Sequence, residues 1–268
     1  MSSEEADLEL LKAAAREAGT LAMSFFRNSP NAWSKDGGSP VTEADMAVDA
    51  YLRALLLAER PNYGWLSEET ADDAARLGCE TIFAVDPIDG TRGFIEGDER
   101  WCVSLAVVRN GRPVAAALSV PAQAVLYSAV EGRGAWIGET RLFVSERSDV
   151  AGARLTGPRG WLKTATMQSL GADLQPHIPS LAYRFALVAA SRIDAAFASP
   201  RAHDWDLAAC DLLVHEAGGR LTGLDGAALR YNQENPRHGA LAAGNKGLQP
   251  NILAAVAAAG REIAQRRG

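Results

Sequence analysis

Apolar residues recur every three to four positions between residues 5 and 26, and this spacing predicts an amphipathic helix that packs on a sheet. The following segment, Asn28 to Pro40, is rich in Gly, Ser and Pro and predicts a loop. A second helix is expected to begin at Thr42, because Asp45 three residues later completes an imperfect capping box.

Short runs of β-branched and apolar residues dominate the middle of the chain and predict strands. They lie at residues 81–85, 102–109, 113–120 and 124–130. The first run ends abruptly at Asp86-Pro87, and Asn110-Gly111 suits a tight hairpin turn. The middle of the protein is therefore expected to be a largely antiparallel sheet.

The pattern changes after residue 145 to alternating helices and short strands. Helices are expected near residues 180–190, 205–217 and 248–266, with a strand at 193–198. The change places a subdomain boundary near residues 145–155. We therefore expect an N-terminal α+β subdomain, residues 1–148, and a C-terminal α/β subdomain, residues 149–268, that completes the site.

Composition narrows the class of protein. The 268 residues are 47% hydrophobic and 22% charged, a mixture typical of globular proteins, and no apolar stretch approaches the ~20 residues of a membrane span. Residues 1–12 lack the features of a secretory signal, which predicts a cytoplasmic protein. The net charge of -6 argues against a nucleic-acid polymer as partner. Cys79, Cys102 and Cys210 are expected to be reduced and mostly buried.

The run Asp86-Pro87-Ile88-Asp89-Gly90-Thr91 is the most informative stretch of the sequence. Two carboxylates at the end of a strand suit a hard cation such as Mg²⁺, which prefers oxygen ligands. If the amides of Gly90 and Thr91 open a helix, they would also point donors at an anion. A bare pair of aspartates in such a turn is more often a structural cap, but the full run is more specific.

Three other acidic positions have ordinary explanations when each is taken alone. Glu68, in the pair Glu68-Glu69, follows an apolar segment and could belong to a solvated loop. Asp45 and Asp206 both fall in the first turn of a helix, where a carboxylate satisfies backbone amides. The order and combination of these positions change the interpretation.

Together these segments resemble the inositol monophosphatase superfamily, over about residues 35 to 245. The matching runs are Val41-Thr42-Glu43-Ala44-Asp45, Ser67-Glu68-Glu69, Asp86 to Thr91, Trp205-Asp206-Leu207-Ala208-Ala209 and Glu216-Ala217-Gly218-Gly219. The resemblance implies an α/β (α+β) fold, a layered α/β/α/β/α sandwich. It also implies a lithium-sensitive, Mg²⁺-dependent phosphatase that hydrolyses a small phosphate ester with two or three ions, and a homodimer.

The resemblance further implies a role for each matching residue. Glu68, Asp86 and the Ile88 carbonyl would bind one metal, and Asp86, Asp89 and Asp206 would bind a second. Asp45 and Thr91 would orient and deprotonate the attacking water, with a third ion near Glu68. The Gly90 and Thr91 amides would bind the phosphate.

Departures from the inositol enzymes bear on the substrate. Arg92-Gly93-Phe94-Ile95 follows Thr91, Ser199 stands where those enzymes tend to carry an acid, and Leu229-Arg230-Tyr231-Asn232 lies near the C-terminal end. These features look more like 3'(2'),5'-bisphosphate nucleotidases. Arg92 and Arg230 could bind a second phosphate while Tyr231 stacks on an adenine, although all three could equally form a solvated rim.

Other functions stay open at this point. An inositol-1-monophosphatase, or a phosphatase for histidinol phosphate or a small sugar phosphate, would use the same acidic residues. A non-catalytic relative that binds metal and anion is the alternative from another class. Loss of a reactive position would favour that alternative, yet Asp45, Glu68, Asp86, Asp89, Thr91 and Asp206 are all present, so the sequence favours an enzyme.

Overall fold

The computed structural model describes residues 2–28, 30–34 and 40–266. Its helices are α1 (Ser3–Phe25), α2 (Glu43–Glu59), α3 (Thr91–Ile95), α4 (Arg159–Leu162), α5 (Ala165–Gln168), α6 (Leu181–Ala189), α7 (Asp204–Glu216) and α8 (Gln249–Gln265). Its strands are β1 (Ala32–Ser34), β2 (Pro40–Thr42), β3 (Gly64–Ser67), β4 (Thr81–Asp89), β5 (Cys102–Arg109), β6 (Arg112–Val120), β7 (Val125–Val130), β8 (Gly134–Ile137), β9 (Thr140–Arg141), β10 (Arg154–Thr156), β11 (Asp173–Leu174), β12 (Ala195–Ala198), β13 (Arg220–Gly223) and β14 (Leu241–Gly244). Short 3₁₀ turns occupy Ala74–Gly78 and Pro121–Gln123.

Two larger sheets and one small one organise these strands. The larger sheet has the order β3-β4-β5-β6-β7-β8-β9 and is antiparallel except where β3 pairs with β4. The second has the order β11-β10-β12-β14-β13 and mixes parallel with antiparallel pairs. Strands β1 and β2 form a separate antiparallel pair.

Three buried clusters hold the layers together. One packs α1 and α2 against one face of the seven-stranded sheet. The largest lies between the two sheets and is filled mainly by α6 and α7. The third packs α8 against the outer face of the five-stranded sheet. Helices and sheets therefore alternate in five layers, which confirms the α/β/α/β/α sandwich.

The main elements agree with the expectations from sequence. Both N-terminal helices, the antiparallel strands and the three later helices lie within a few residues of their predicted bounds. Thr42 caps α2, and both bonds of its capping box with Asp45 are formed. The three cysteines are free thiols, and Cys102 and Cys210 are buried. Within the described residues, no helix has the length and apolar character needed to cross a bilayer.

Two expectations need correction. The segment from Asn28 to Pro40 is not simply a loop, because β1 lies within it and β2 begins at its end. The rest of that prediction falls on residue 29 and residues 35–39, outside the described residues. Strand β4 does not stop at Asp86 but continues to Asp89. The proposed division at residues 148 and 149 falls between the last strand of one sheet and the first of the next, and it stays a prediction.

Candidate active site

A register shift in β4 turns two carboxylates to the same side of the sheet. Asp86 lies opposite Ser104 and Asp89 lies opposite Cys102, so three steps along β4 match two steps along β5. Residues three apart in a regular strand would face opposite sides of the sheet. Because the bulge absorbs one residue, both aspartates face the layer that contains α6 and α7.

Asp86 is the centre of an acidic cluster. One carboxylate oxygen each from Glu68, Asp86 and Asp206 lies within 4.8 Å of the other two. Glu68 directly follows β3, and its amide donates to the Val85 carbonyl of β4 at 3.3 Å. Asp206 lies in the first turn of α7, where one oxygen accepts from the His203 amide at 2.7 Å. The parallel pairing of β3 with β4 and the start of α7 thus bring the three acids together.

The environment of Asp86 opposes its ionisation. One oxygen accepts from the Ile88 amide at 3.1 Å, while the other is buried without a hydrogen-bond partner among the described residues. Burial raises the pKa of Asp86 well above its ordinary value, and the charges of Glu68, Asp89 and Asp206 raise it further. A cation bound at this position would relieve both effects.

Asp89 joins the cluster to helix α6. The oxygen Oδ2 accepts from the Ser180 hydroxyl and from the Ala182 amide, at the first turn of α6. Burial raises the pKa of Asp89 to about 6, with Asp206 contributing repulsion, although the hydrogen bonds from α6 act in the opposite direction. Asp89 also lines the cleft, so its carboxylate is accessible from there.

Asp45 and Thr91 meet beside the aspartates. Thr91 Oγ1 lies 3.1 Å from Asp45 Oδ1 and 3.0 Å from the Ile88 carbonyl oxygen. The other carboxylate oxygen of Asp45 accepts from the Thr42 amide and hydroxyl, which fixes its orientation. Asp45 therefore acts as a helix cap and also faces the cluster, so the two interpretations of this residue are compatible.

Gly90 makes the turn that connects β4 to α3. Its φ of +95° lies in the region that favours glycine. A Cβ at this position would lie 3.0 Å from the Ser180 amide nitrogen and 3.1 Å from the Ser180 Cα. A side chain is therefore excluded here by backbone conformation and by the close approach of the segment that caps α6.

A cleft of about 960 Å³ opens over these residues. Its lining includes Glu68, Asp89, Gly90, Thr91 and Asp206. The same cleft is lined by basic side chains, namely Arg92, Arg159, Arg201, Arg237, His177 and His203. The cleft thus combines a concentration of carboxylates with four arginines.

Comparison with known proteins identifies the family. The family model described as "Inositol monophosphatase family" matches residues 4–261. The chain belongs to the inositol monophosphatase family. Its members are phosphatases, so this protein is a hydrolase, and the family is generally metal-dependent.

Individual members of the inositol monophosphatase family are similar over most of their length. The histidinol-phosphatase of Mycobacterium tuberculosis is 35% identical over 226 residues, which cover 80% of this chain and 84% of that protein. The inositol-1-monophosphatase of Mesorhizobium japonicum is 32% identical, over 83% of this chain and 84% of that protein. Among solved structures, the Thermotoga maritima IMPase is 25% identical and superimposes with a TM-score of 0.85, covering 97% of this chain and 99% of that one.

The donor set fits the metal dependence that is general in this family. All the donor atoms that converge on the cluster are oxygens, the ligands that Mg²⁺ prefers. The buried, unpartnered oxygen of Asp86 is the position that most needs a cation. The identity and number of the ions stay a prediction.

Two of the residues expected to contact substrate lie elsewhere. Tyr231 is fully buried, and its hydroxyl donates to Asp211 Oδ2 at 2.9 Å, so its ring has no exposed face to stack on an adenine. Arg230 is exposed but lines two other surface pockets. Arg92 does line the cleft. These positions do not support a substrate role for Arg230 or Tyr231.

Several residues of the cleft escaped the sequence analysis. Ser180 binds Asp89, and His177 lines the cleft with its Nδ1 3.2 Å from the Gly157 carbonyl oxygen. Burial and the charge of Arg184 lower the pKa of His177, which favours the neutral ring. His203 also lines the cleft, with its ring stacked on Trp205 at 4.4 Å between ring centroids. None of these residues belongs to a sequence motif, so their place in the cleft could not be predicted from the sequence.

Proposed function

We propose that this phosphatase uses Mg²⁺ to hydrolyse a phosphate monoester that carries a second anionic group, and that its substrates are 3'(2'),5'-bisphosphate nucleotides. The observation that carries the proposal is the composition of the cleft. Carboxylates converge at the bulge of β4, while Arg92, Arg159, Arg201 and Arg237 line the same space. The acids suit cations that would bind the reacting phosphate, and the arginines suit a further anion.

The proposed metal ligands are the residues that converge at the cluster. Glu68, Asp86 and the Ile88 carbonyl would hold one ion, and Asp86, Asp89 and Asp206 a second, with a third near Glu68. Bound divalent ions would neutralise the phosphate and lower the pKa of a nearby water. The positive charge of these ions would also offset the repulsion among the carboxylates of the cluster.

Asp45 and Thr91 would handle the proton of the attacking water. The Thr91 hydroxyl lies close enough to donate to Asp45, which leaves the Thr91 oxygen able to accept a hydrogen bond from water. As the water attacks phosphorus, its proton would pass to Thr91 while the Thr91 proton passes to Asp45. The bond from phosphorus to the alcohol oxygen would break, and that oxygen would take a proton from solvent water. The Gly90 and Thr91 amides would donate to phosphate oxygens, and no covalent phosphoenzyme is required.

The arginines distinguish the candidate substrates by charge. A guanidinium group binds phosphate through paired hydrogen bonds, so a second phosphate would be held well. Inositol-1-phosphate has only hydroxyl groups, and no second phosphate, to offer to these arginines. Histidinol phosphate carries an ammonium group, which four arginines would repel.

Histidinol phosphate is nevertheless the second candidate. The histidinol-phosphatase of Mycobacterium tuberculosis is 35% identical to this chain. The side chain of Glu96 also lines the cleft and could pair with an ammonium group. A direct comparison of substrates decides between the two candidates.

The test is phosphate release from adenosine 3',5'-bisphosphate, inositol-1-phosphate, histidinol phosphate and fructose bisphosphate in the presence of Mg²⁺. We expect kcat/KM for adenosine 3',5'-bisphosphate to be at least about tenfold above inositol-1-phosphate and histidinol phosphate, which lack a second phosphate, since one well-placed charged contact contributes roughly this much. Arg159→Ala and Arg237→Ala should remove this preference, whereas Arg230→Ala, outside the cleft, should not. A higher kcat/KM for histidinol phosphate would overturn the nucleotidase assignment.

Three further properties belong to the proposal because the family resemblance implies them or the sequence favours them. Li⁺ is expected to inhibit phosphate release, and the protein is expected to be a homodimer that functions in the cytoplasm. Titration with Li⁺ at fixed Mg²⁺, sedimentation of the purified protein and cell fractionation test these properties separately.

A further inference from the structure

The segment from Tyr231 to His238 has a role other than substrate binding. It begins at the buried Tyr231, whose hydroxyl contacts Asp211 of α7. From there it passes between two parts of the molecule, the start of α7 and the 3₁₀ turn Ala74–Gly78. The start of α7 carries the proposed metal ligand Asp206, and the 3₁₀ turn contacts β3, the strand that Glu68 follows.

On one side, the segment holds the start of α7 through Asp204. Asp204 is 1% exposed, and both of its carboxylate oxygens are engaged. His238 Nε2 lies 2.7 Å from Oδ1, and the Asn232 amide donates to Oδ2 at 2.7 Å. The Asp204 amide donates back to the Pro236 carbonyl at 2.9 Å. Asp206 is two residues further along this first turn, so its position depends on the same contacts.

On the other side, the segment holds Arg76. The Arg76 guanidinium donates to Asn232 Oδ1 at 2.7 Å and to the Gln233 carbonyl at 3.0 Å. In return, the Asn232 side-chain amide donates to the Arg76 carbonyl at 3.2 Å. Arg76 is 3% exposed, and Asp72 balances its charge through two hydrogen bonds. The contact is thus reciprocal and partly buried, with hydrogen bonds donated in both directions.

Arg76 in turn packs on the strand that leads to Glu68. Its Cβ would lie 3.2 Å from a Cβ added at Gly64, the first residue of β3. Glu68 follows directly after the last residue of β3. A continuous set of contacts therefore runs from Glu68 through β3, Arg76, Asn232 and Asp204 to Asp206, outside the cleft itself.

We propose that Arg76, Asn232 and Asp204 are positioning residues that set the separation of Glu68 from Asp206. This inference rests on the proposed role of the acidic cluster as a metal site. Carboxylates that converge within 4.8 Å repel one another when no cation is bound, so they need support from groups behind them. Mutation of a residue that hydrogen-bonds to a metal ligand commonly lowers metal affinity about 10- to 100-fold, and we expect an effect of this size here.

Asn232→Gly is the most selective variant for the test. Asn232 has a φ of +56°, which glycine adopts without strain, and glycine keeps the amide that donates to Asp204. The substitution removes only the side-chain contacts with Arg76. Asn110→Gly is the matched control, because Asn110 also has a positive φ, 51°, and its side chain lies near Glu80 rather than Arg76.

The experiment measures Mn²⁺ binding to the full-length protein by the electron paramagnetic resonance signal of free Mn²⁺. The Mg²⁺ dependence of phosphate release is measured in parallel. We expect Asn232→Gly to weaken Mn²⁺ binding about tenfold and to raise the half-activating Mg²⁺ concentration similarly. At saturating Mg²⁺, kcat should stay within about threefold of the parent value, since no reacting group is lost. Asn110→Gly should behave like the parent protein.

Unchanged Mn²⁺ affinity in a folded Asn232→Gly variant would overturn this inference alone. A fall in kcat that saturating Mg²⁺ does not restore would also overturn it, because this result indicates general damage. Absence of Mn²⁺ binding by the parent protein would overturn the proposed metal site together with this inference. If Asn232→Gly fails to fold, Arg76→Lys gives the same readout, and normal Mn²⁺ affinity in that variant counts against the proposal.

Discussion

Thr91 and Asp45 are 46 residues apart in the chain, yet Thr91 Oγ1 lies 3.1 Å from Asp45 Oδ1. Each of the two residues is buried at the first turn of its own helix, α3 or α2. The Thr42 cap holds the second oxygen of Asp45, so the carboxylate cannot rotate freely. In the proposed mechanism, this pair would accept the proton of the attacking water.

Thr91→Val is expected to reduce kcat by about 10²-fold or more, because valine keeps the shape but removes the hydroxyl between water and Asp45. Thr91→Ser keeps the hydroxyl and is expected to retain most activity. Steady-state phosphate release at saturating Mg²⁺ gives the comparison. Equal rates for the valine and serine variants would exclude a proton-transfer role for this hydroxyl.

Asp89→Asn and Asp206→Asn are expected to lower kcat by at least about 10²-fold, the typical effect of losing one group that stabilises charge in the transition state. Both variants should keep the circular dichroism spectrum of the parent protein. Near-normal turnover in both at saturating Mg²⁺ would contradict their assignment as metal ligands.

The acidic cluster should also make the metal-free protein sensitive to pH. Burial raises the pKa of Asp89 in the folded protein to about 6, above its ordinary value of 3.8. Between these two pH values the folded state keeps a proton on Asp89 that the unfolded state has released. Stability from this group is therefore present below about pH 4 and is lost as the pH rises to about 6. The loss is roughly 2–3 kcal/mol for a shift of this size.

Urea unfolding in the presence of a chelator measures this effect. Because asparagine does not titrate, Asp89→Asn should gain stability relative to the parent protein between about pH 4 and pH 6 and then keep a constant difference. In a separate measurement without chelator, Mg²⁺ should stabilise the parent protein. The free energy of unfolding should rise by about 2.7 kcal/mol when the Mg²⁺ concentration is one hundred times the dissociation constant for Mg²⁺. A difference between the two proteins that does not change with pH would argue against the raised pKa.

The sequence predicts the layers of the fold better than the arrangement within the cleft. Long periodic segments such as α1 and β5 are determined by their own hydrophobic pattern, and their bounds were predicted to within a few residues. The orientation of Asp86 and Asp89 is different, because their common face depends on a register shift against β5. No local pattern around Asp86 encodes that shift.

Tyr231 illustrates the same limit for single residues. Its type and its place in the Leu229–Asn232 run fit a stacking surface, but its partner is Asp211, twenty positions earlier on a different element. Arg159 and Arg237 show the reverse case, because each lies in an unremarkable stretch of sequence and only the folded chain brings them to one cleft. The sequence therefore shows which chemical groups are present, but it does not show which residues distant in the chain they contact.

Gly90→Ala tests whether the turn after β4 must stay free of a side chain. The φ of +95° costs a non-glycine residue about 1–2 kcal/mol. The new Cβ would also lie 3.0–3.2 Å from the backbone and Cβ of Ser180, which cannot rotate away as a flexible side chain could. We expect unfolding in urea to show a total loss of about 2–3 kcal/mol.

Gly132→Ala is the matched control for this variant. Gly132 has a φ of +70°, but an added Cβ would meet no atom within 4 Å among the described residues, so only the conformational cost remains. Activity separates the two variants further. Displacement of Ser180 would shift its hydrogen bond to Asp89, so Gly90→Ala should lose about tenfold or more in kcat, whereas Gly132→Ala should retain the parent value. Equal stability and equal kcat in the two variants would show that Ser180 yields to the new methyl group and that its contact with Asp89 does not depend on Gly90.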